Sequence, residues 1–240
     1  MNLSKIIHRI PTYLALFTLL FSCKPEEDIT GGRNELATET AQSDWSAMVA
    51  EAQRDVSSSS ARHVGDDSLT TVQQVDVDRY TGRWYELARK ITDRDSDGCE
   101  CVSIDYAAIE GGISIFNNCF LAETGFSTSV SGQALVVEPE TNAKLKVTFA
   151  GIPNFVGDYW IIDLVESGKD TPYQFAVVSD PQGEGLSILS RSPTVNTLRE
   201  KRAVVLILVR LILKGFDLQN ISVIPQRNEC EYPPLPTEGV

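Results

Sequence analysis

The chain has 240 residues, a formal net charge of −12, and 42% hydrophobic and 8% aromatic residues. That length supports a sizeable core, and the acidic balance argues against a protein that clamps polyanionic nucleic acid. There are two histidines, His8 and His63, and both precede the region that reads as folded; imidazole acid–base chemistry and His-ligated zinc or haem are thereby removed from the main domain.

Residues 1–22 read as an export signal. Lys5 and Arg9 supply the positive start, and residues 13–21 form an apolar stretch too short to span a bilayer. It ends Leu20-Phe21-Ser22-Cys23, which resembles the bacterial lipobox, where the cysteine is acylated and becomes the mature N-terminus. Phe21 departs from the usual small or aliphatic residue at that position, and Lys24 after the cysteine resembles lipoproteins routed to the outer membrane. The resemblance implies a lipid anchor, palmitate included, on Cys23; ordinary cleavage and secretion is the alternative. Lipidating one of the five cysteines leaves four, an even number in an oxidising compartment.

Residues 24–70 hold six Ile, Leu or Val, no Phe, ten acids against four bases, and the Ser57-Ser58-Ser59-Ser60 run. Such a segment buries too little apolar surface to offset its ordering entropy. The expectation is a flexible acidic tether over 23–74, with a short transient helix around 45–50. About 50 coil residues would reach roughly 40 Å.

From residue 75 turns arrive every eight to twelve residues, the spacing of an all-β barrel or sandwich. Residues 102–107 and 113–116 flank Glu110-Gly111-Gly112 as a hairpin. In 144–149 Leu145, Val147 and Phe149 alternate with Lys144, Lys146 and Thr148. Further strands are expected at 158–165, 173–180, 186–191 and 221–224. One helix interrupts the series, from Pro193 to about Lys214, with Thr194 as N-cap and Gly215 as stop. Its apolar middle is too short for a membrane span, so it should pack outside the sheet. Eight strands, a helix and a last strand fit a closed antiparallel up-and-down barrel, which encloses room for one small ligand.

The run Gly82-Arg83-Trp84-Tyr85-Glu86-Leu87-Ala88-Arg89 resembles the opening strand of a lipocalin, whose signature is Gly-x-Trp. The resemblance continues in order. It runs through Cys101 to Tyr106 with Asn117, Gly132-Gln133-Ala134, residues 143–149, Tyr159-Trp160-Ile161-Ile162, and Ile188-Leu189-Ser190-Arg191-Ser192-Pro193. It covers 75–226 and is similar to the apolipoprotein D-like and bacterial outer-membrane members of the family, leaving 227–240 as a C-terminal tail. It implies an eight-stranded lipocalin barrel with one C-terminal α-helix outside. Gly82, Trp84 and Arg191 would close the barrel floor, Arg191 over the indole face. The family's second motif is replaced by the longer stretch 163–170, so no receptor contact is carried over.

With Trp84 inward, period-two alternation sends Glu86 and Ala88 inward too. The expected ligand-lining set adds Tyr106, Asn117, Leu145, Val147, Phe149, Tyr159, Tyr173, Phe175 and Val177. The resemblance implies binding, storage or transport of a fatty acid, lysophospholipid or similar amphiphile, with no cofactor, no metal and no chemical step. It also implies a Cys101–Cys230 disulfide, leaving Cys99–Cys119; Cys99–Cys230 with Cys101–Cys119 stays open. The competing classes are a surface-anchored interaction module using the loops, and a lipocalin-fold enzyme using Cys119 as nucleophile.

Overall fold

The computed structural model describes residues 35–58, 69–90 and 98–235, with backbone alone for 35–40. The export segment, Cys23 and both histidines lie outside the described residues. Eight strands run in chain order: β1 (Gly82–Lys90), β2 (Cys99–Ile109), β3 (Gly112–Leu121), β4 (Phe126–Val136), β5 (Lys144–Phe149), β6 (Gly157–Glu166), β7 (Tyr173–Ser179) and β8 (Leu186–Ser190). Each pairs antiparallel with the next, and β1 pairs with both β2 and β8, so the ring is closed. The short β9 (Ile221–Val223) pairs with the late part of β1, Ala88 to Lys90. Closure leaves the eight-strand ring without the open edges that invite aggregation.

Local sequence explains the elements. At the β2–β3 turn Ile109 faces Gly112 across Glu110-Gly111, and Gly111 takes φ +77°, which a residue with a Cβ adopts at a cost. Along β4 the outer residues Ser127, Ser129, Ser131 and Gln133 are exposed, while Thr128, Val130, Gly132 and Ala134 are at least half-buried. This is the two-residue alternation of a wall with water outside and a packed space within.

Apolar packing falls into two layers. The inner one holds Trp84, Val102, Ile104, Tyr106, Ile115, Leu145, Val147, Tyr159, Ile161, Ala176, Val178 and Leu189. The other lies outside the wall. There Ile162, Phe175, Val177 and Ile188 meet Val204, Ile207, Leu208 and Leu211 of α3 (Leu198–Leu213). This second layer explains the nearly all-round apolar middle of α3. Among the described residues no helix is long and apolar enough to cross a membrane.

The N-cap of α3 lies three residues later than its sequence suggests. Thr197, not Thr194, is the N-cap: its hydroxyl accepts from the Glu200 N–H, and the Glu200 carboxylate accepts from the Thr197 N–H. The Thr-x-x-Glu box satisfies donors at both ends of the first turn, which a lone Thr194 after Pro193 does not.

Residues 35–58, within the stretch read as a flexible spacer, form α1 (Glu35–Ser58), packed on α3 and β9. Trp45, Met48 and Ala52 are buried, and Lys201 pairs with Asp44 at 2.9 Å. Their spacing of three and four puts all three on one helical face. Composition averaged over the whole segment hides that narrow stripe. A short helix α2 (Val77–Tyr80), N-capped by Asp76, leads into β1. The tail lies over the β1–β2 side: Gln226 Nε2 donates to the Glu86 and Val102 carbonyls, and Tyr232 packs edge-on against Tyr85.

Candidate functional site: the barrel interior

At one end Trp84 is fully buried and donates from Nε1 to the Tyr80 carbonyl at 2.8 Å. The Arg191 guanidinium carbon sits 3.9 Å from the Trp84 ring centroid, and its nitrogens donate to the carbonyls of Arg79, Tyr80, Thr81, Arg83 and Tyr173. Gly82, at φ +92°, is required here: a Cβ would come 3.2 Å from Arg191 Nη1. Burial pulls the Arg191 guanidinium down to about 10, with Tyr80 and Tyr106 acting in the opposite direction. These residues seal the end and carry no ligand-reading group into the interior.

Above the seal lies a chain of phenols. Tyr159 contacts the Tyr80 hydroxyl at 2.6 Å and the Tyr106 hydroxyl at 2.9 Å, and the Tyr80 and Tyr106 rings stack 5.5 Å apart. Burial pushes all three phenols above their ordinary value; the hydrogen bonds with Tyr159 oppose this at Tyr80 and Tyr106, while at Tyr159 both hydrogen bonds act in the same direction as burial. Tyr173 belongs to the seal: its hydroxyl accepts from the Asp76 N–H, and Arg79 lies over its ring at 4.4 Å.

The rest of the interior is apolar, with two polar interruptions. Asn117 is buried on the inner face of β3, in register with Ile104 and Val130. Leu145, Val147 and Phe149 follow on β5, Phe149 stacking against Phe155 of the β5–β6 loop at 6.0 Å. The second interruption is ionic. Glu86 Oε2 accepts from Arg89 Nη2 at 2.5 Å, and Glu86 Oε1 accepts from the Ser187 hydroxyl at 2.6 Å. Both charged side chains are buried, at 6% and 9% exposure.

Three expected lining residues are not in the interior. Ala88, Phe175 and Val177 belong to the layer beneath α3. Each correction traces to a bulge. In β1 the register passes from Glu86–Leu189 to Ala88–Ile188, so Leu87 is an extra residue. In β7 it passes from Tyr173–Glu166 to Phe175–Val165, so Gln174 is extra. One inserted residue exchanges the two faces of everything after it. The bulge that turns Ala88 outward turns Arg89 inward. Arg89, which strict alternation from Trp84 misses, completes with Ser187 of β8 the cluster around Glu86; the sequence signal for Arg89 was an ionic residue three places after Glu86.

The cysteines form Cys99–Cys119 and Cys101–Cys230, with Cα–Cα distances of 5.6 and 5.4 Å. The Cys119 sulfur is therefore committed to Cys99 rather than present as a thiolate nucleophile. Among the described residues no group of three or more His, Cys, Asp or Glu is placed to hold a metal ion.

The family model for the lipocalin-like domain matches residues 75–226. The outer membrane lipoprotein Blc of Escherichia coli K12 is 33% identical over 159 residues, covering 66% of this chain and 83% of that protein. Blc of Vibrio cholerae is 35% identical over 130 residues, covering 54% of this chain and 72% of its own. Insecticyanin from the tobacco hornworm Manduca sexta superposes with a TM-score of 0.52 at 16% identity, over 68% of this chain and 88% of that one, a likeness of fold alone. In its closed eight-stranded ring, its Trp84–Arg191 seal and its matched sequence, the chain belongs to the lipocalin family.

Proposed function

We propose that the barrel binds and carries one small hydrophobic ligand, a fatty acid, lysophospholipid or similar amphiphile. The observation that supports this best is the inner wall itself, built mainly of buried apolar side chains and interrupted by a few polar groups. In this reading Leu145, Val147 and Phe149 hold the chain of the ligand, while Tyr106, Asn117, Tyr159 and Glu86 meet its polar part. Apolar burial at ~25 cal/mol per Å² supplies the affinity, and no bond is made or broken. The test is titration with a fluorescent fatty-acid analogue. Binding should be micromolar or tighter and displaceable by unlabelled amphiphile; no displaceable binding to any apolar probe overturns the reading.

We infer further that the chain is exported and held at the outer membrane by acylated Cys23. The lipobox-like Leu20-Phe21-Ser22-Cys23 and the relatives named as outer membrane lipoproteins support this. Because α1 packs on the barrel, only residues 24–34 would separate the anchor from folded structure, a stretch that spans at most roughly 40 Å. Mass spectrometry of the N-terminal peptide should find acyl chains on Cys23, and C23S should move the protein from membrane to soluble fractions. An unmodified N-terminus elsewhere in 20–30 would overturn the anchor.

A further inference from the structure

We propose that the exposed stripe of α3 formed by Leu198, Arg199, Arg202 and Leu206 rests on an anionic lipid surface, so that the barrel stands with its sealed end toward the membrane and its mouth, the opposite end, directed away. The orientation rests on the anchor reading above; the lipid contact does not.

The stripe is local in origin. Leu198, Arg202 and Leu206 are four apart, and Arg199 lies three before Arg202, so the four side chains share one helical face. That face points away from the packed layer: Leu198 is 66% and Leu206 54% exposed, while Val204, Val205, Ile207 and Leu208 are buried. Its neighbours do not neutralise it. Glu200 is turned back into the capping box, and Asp44 is matched to Lys201. Arg199 reaches the Ser167 carbonyl at 3.5 Å, and among the described residues neither Arg199 nor Arg202 forms an ion pair. A chain with a formal net charge of −12 thus presents two unmatched guanidiniums between two exposed leucines. Arginines flanked by apolar side chains on one helix face suit an interface of anionic headgroups, where each cation is attracted to phosphate and each leucine finds hydrocarbon.

The second observation is where the chain enters the folded part. The helix α3 begins at the sealed end, where Arg199 meets Ser167 just beyond β6, and finishes toward the mouth, where the Phe216 ring lies against Gly183 of the β7–β8 turn. The helix α1 runs the same way. Asp44 pairs with Lys201 in the first turn of α3, and the buried positions follow at Trp45, Met48 and Ala52. In the opposite sense they would pass Leu198 and leave the start of α3 within a turn. Glu35 therefore lies on the sealed side, roughly 14 Å before Asp44 along the helix axis. An anchor upstream of Glu35 holds the same end that carries the stripe. Turning the mouth to that membrane would require residues 24–34 to run back along α1, whose 24 residues cover roughly 36 Å, almost the whole reach of that stretch.

The test separates contact from anchor. The mature chain from residue 23, carrying C23S and hence no acyl group, is sedimented with vesicles of phosphatidylcholine alone or mixed with phosphatidylglycerol. It should bind the mixed vesicles only, and release them as salt rises. R199Q/R202Q should weaken binding at least about tenfold and L198S/L206S at least about threefold, at unchanged melting temperature. R54Q, at an exposed arginine of α1, should bind as wild type. In the acylated chain on mixed vesicles with brominated acyl chains, L198W should gain a quenched fluorescence and F126W, at the exposed mouth residue Phe126, should not. No binding to mixed vesicles, or equal binding of wild type and R199Q/R202Q, overturns the contact whether or not Cys23 is acylated. An unacylated Cys23 with arginine-dependent binding intact overturns the anchor alone. Quenching of F126W in place of L198W overturns the orientation. Self-association that R199Q/R202Q abolishes, without vesicle binding, would assign the stripe to a second copy and overturn the proposal.

Discussion

Arg191 holds its guanidinium carbon 3.9 Å from the centroid of the Trp84 ring while its nitrogens donate to five backbone carbonyls. The contact joins the end of β8 to the start of β1 and to α2. Only a planar, multiply donating cation can do this; an ammonium donates from a single point. Arg191→Lys should therefore cost about 3 kcal/mol or more, because several buried carbonyls lose their donors. For a domain of this size that lowers the melting temperature by roughly 6–12 °C. A melt by circular dichroism within about 2 °C of wild type would contradict the role given to the guanidinium.

The phenols predict alkaline lability. Tyr80, Tyr106 and Tyr159 have folded-state values raised by burial. Above pH 10 the unfolded chain releases protons that the folded barrel retains, so their contribution is fully present below that pH and is lost as pH rises. Three such groups give a slope of ~4 kcal/mol per pH unit. Arg191, lowered to about 10, has the opposite sign and offsets roughly one of the three. Tyrosinate absorbance of the buried phenols and loss of far-ultraviolet dichroism should share one midpoint. Ionisation of all three near pH 10 in an intact barrel would refute the arrangement.

Phe175 faces α3 rather than the ligand space. Phe175→Ala should destabilise by about 3–5 kcal/mol through the cavity left between wall and helix. The affinity of the folded fraction for an apolar probe should stay within about twofold. A large change in affinity at unchanged stability would place Phe175 inside.

Trp45 is the largest buried side chain of α1. Its truncation removes about 3 kcal/mol or more of packing, and most of the stability of a helix in a protein comes from packing of its apolar face. In Trp45→Ala tryptic cleavage after the exposed Arg54 should accelerate at least about tenfold, with the near-ultraviolet signal of the barrel retained. Equal cleavage rates would mean that Trp45 does not hold the helix.

Much of the barrel is readable from local pattern. Residues 144–149 alternate cleanly and are β5 as expected, because one of their faces is wetted by the lysines. The Gly111 turn and the apolar, capped character of α3 are equally local. Position was harder where two choices share the same chemistry: Thr194 and Thr197 are both acceptable caps, and only the partner at Glu200 separates them. The stripe in α1 was masked by its acidic, serine-rich surroundings.

The sequence alone pointed to a closed β-barrel, and its resemblance to lipocalins implied that Gly82, Trp84 and Arg191 meet. Those properties depend on residue type and order, and on apolar repeats that survive averaging. Which side chains face the interior was decided by tertiary structure. In Ala176-Val177-Val178 both faces are apolar, because α3 covers the outside of the wall as ligand space occupies the inside. Alternation therefore carries no phase information there, and a single bulge residue inverts the assignment. The same cause hid the site's most polar element: the extra residue Leu87 turns Ala88 out toward α3 and brings Arg89 in against Glu86.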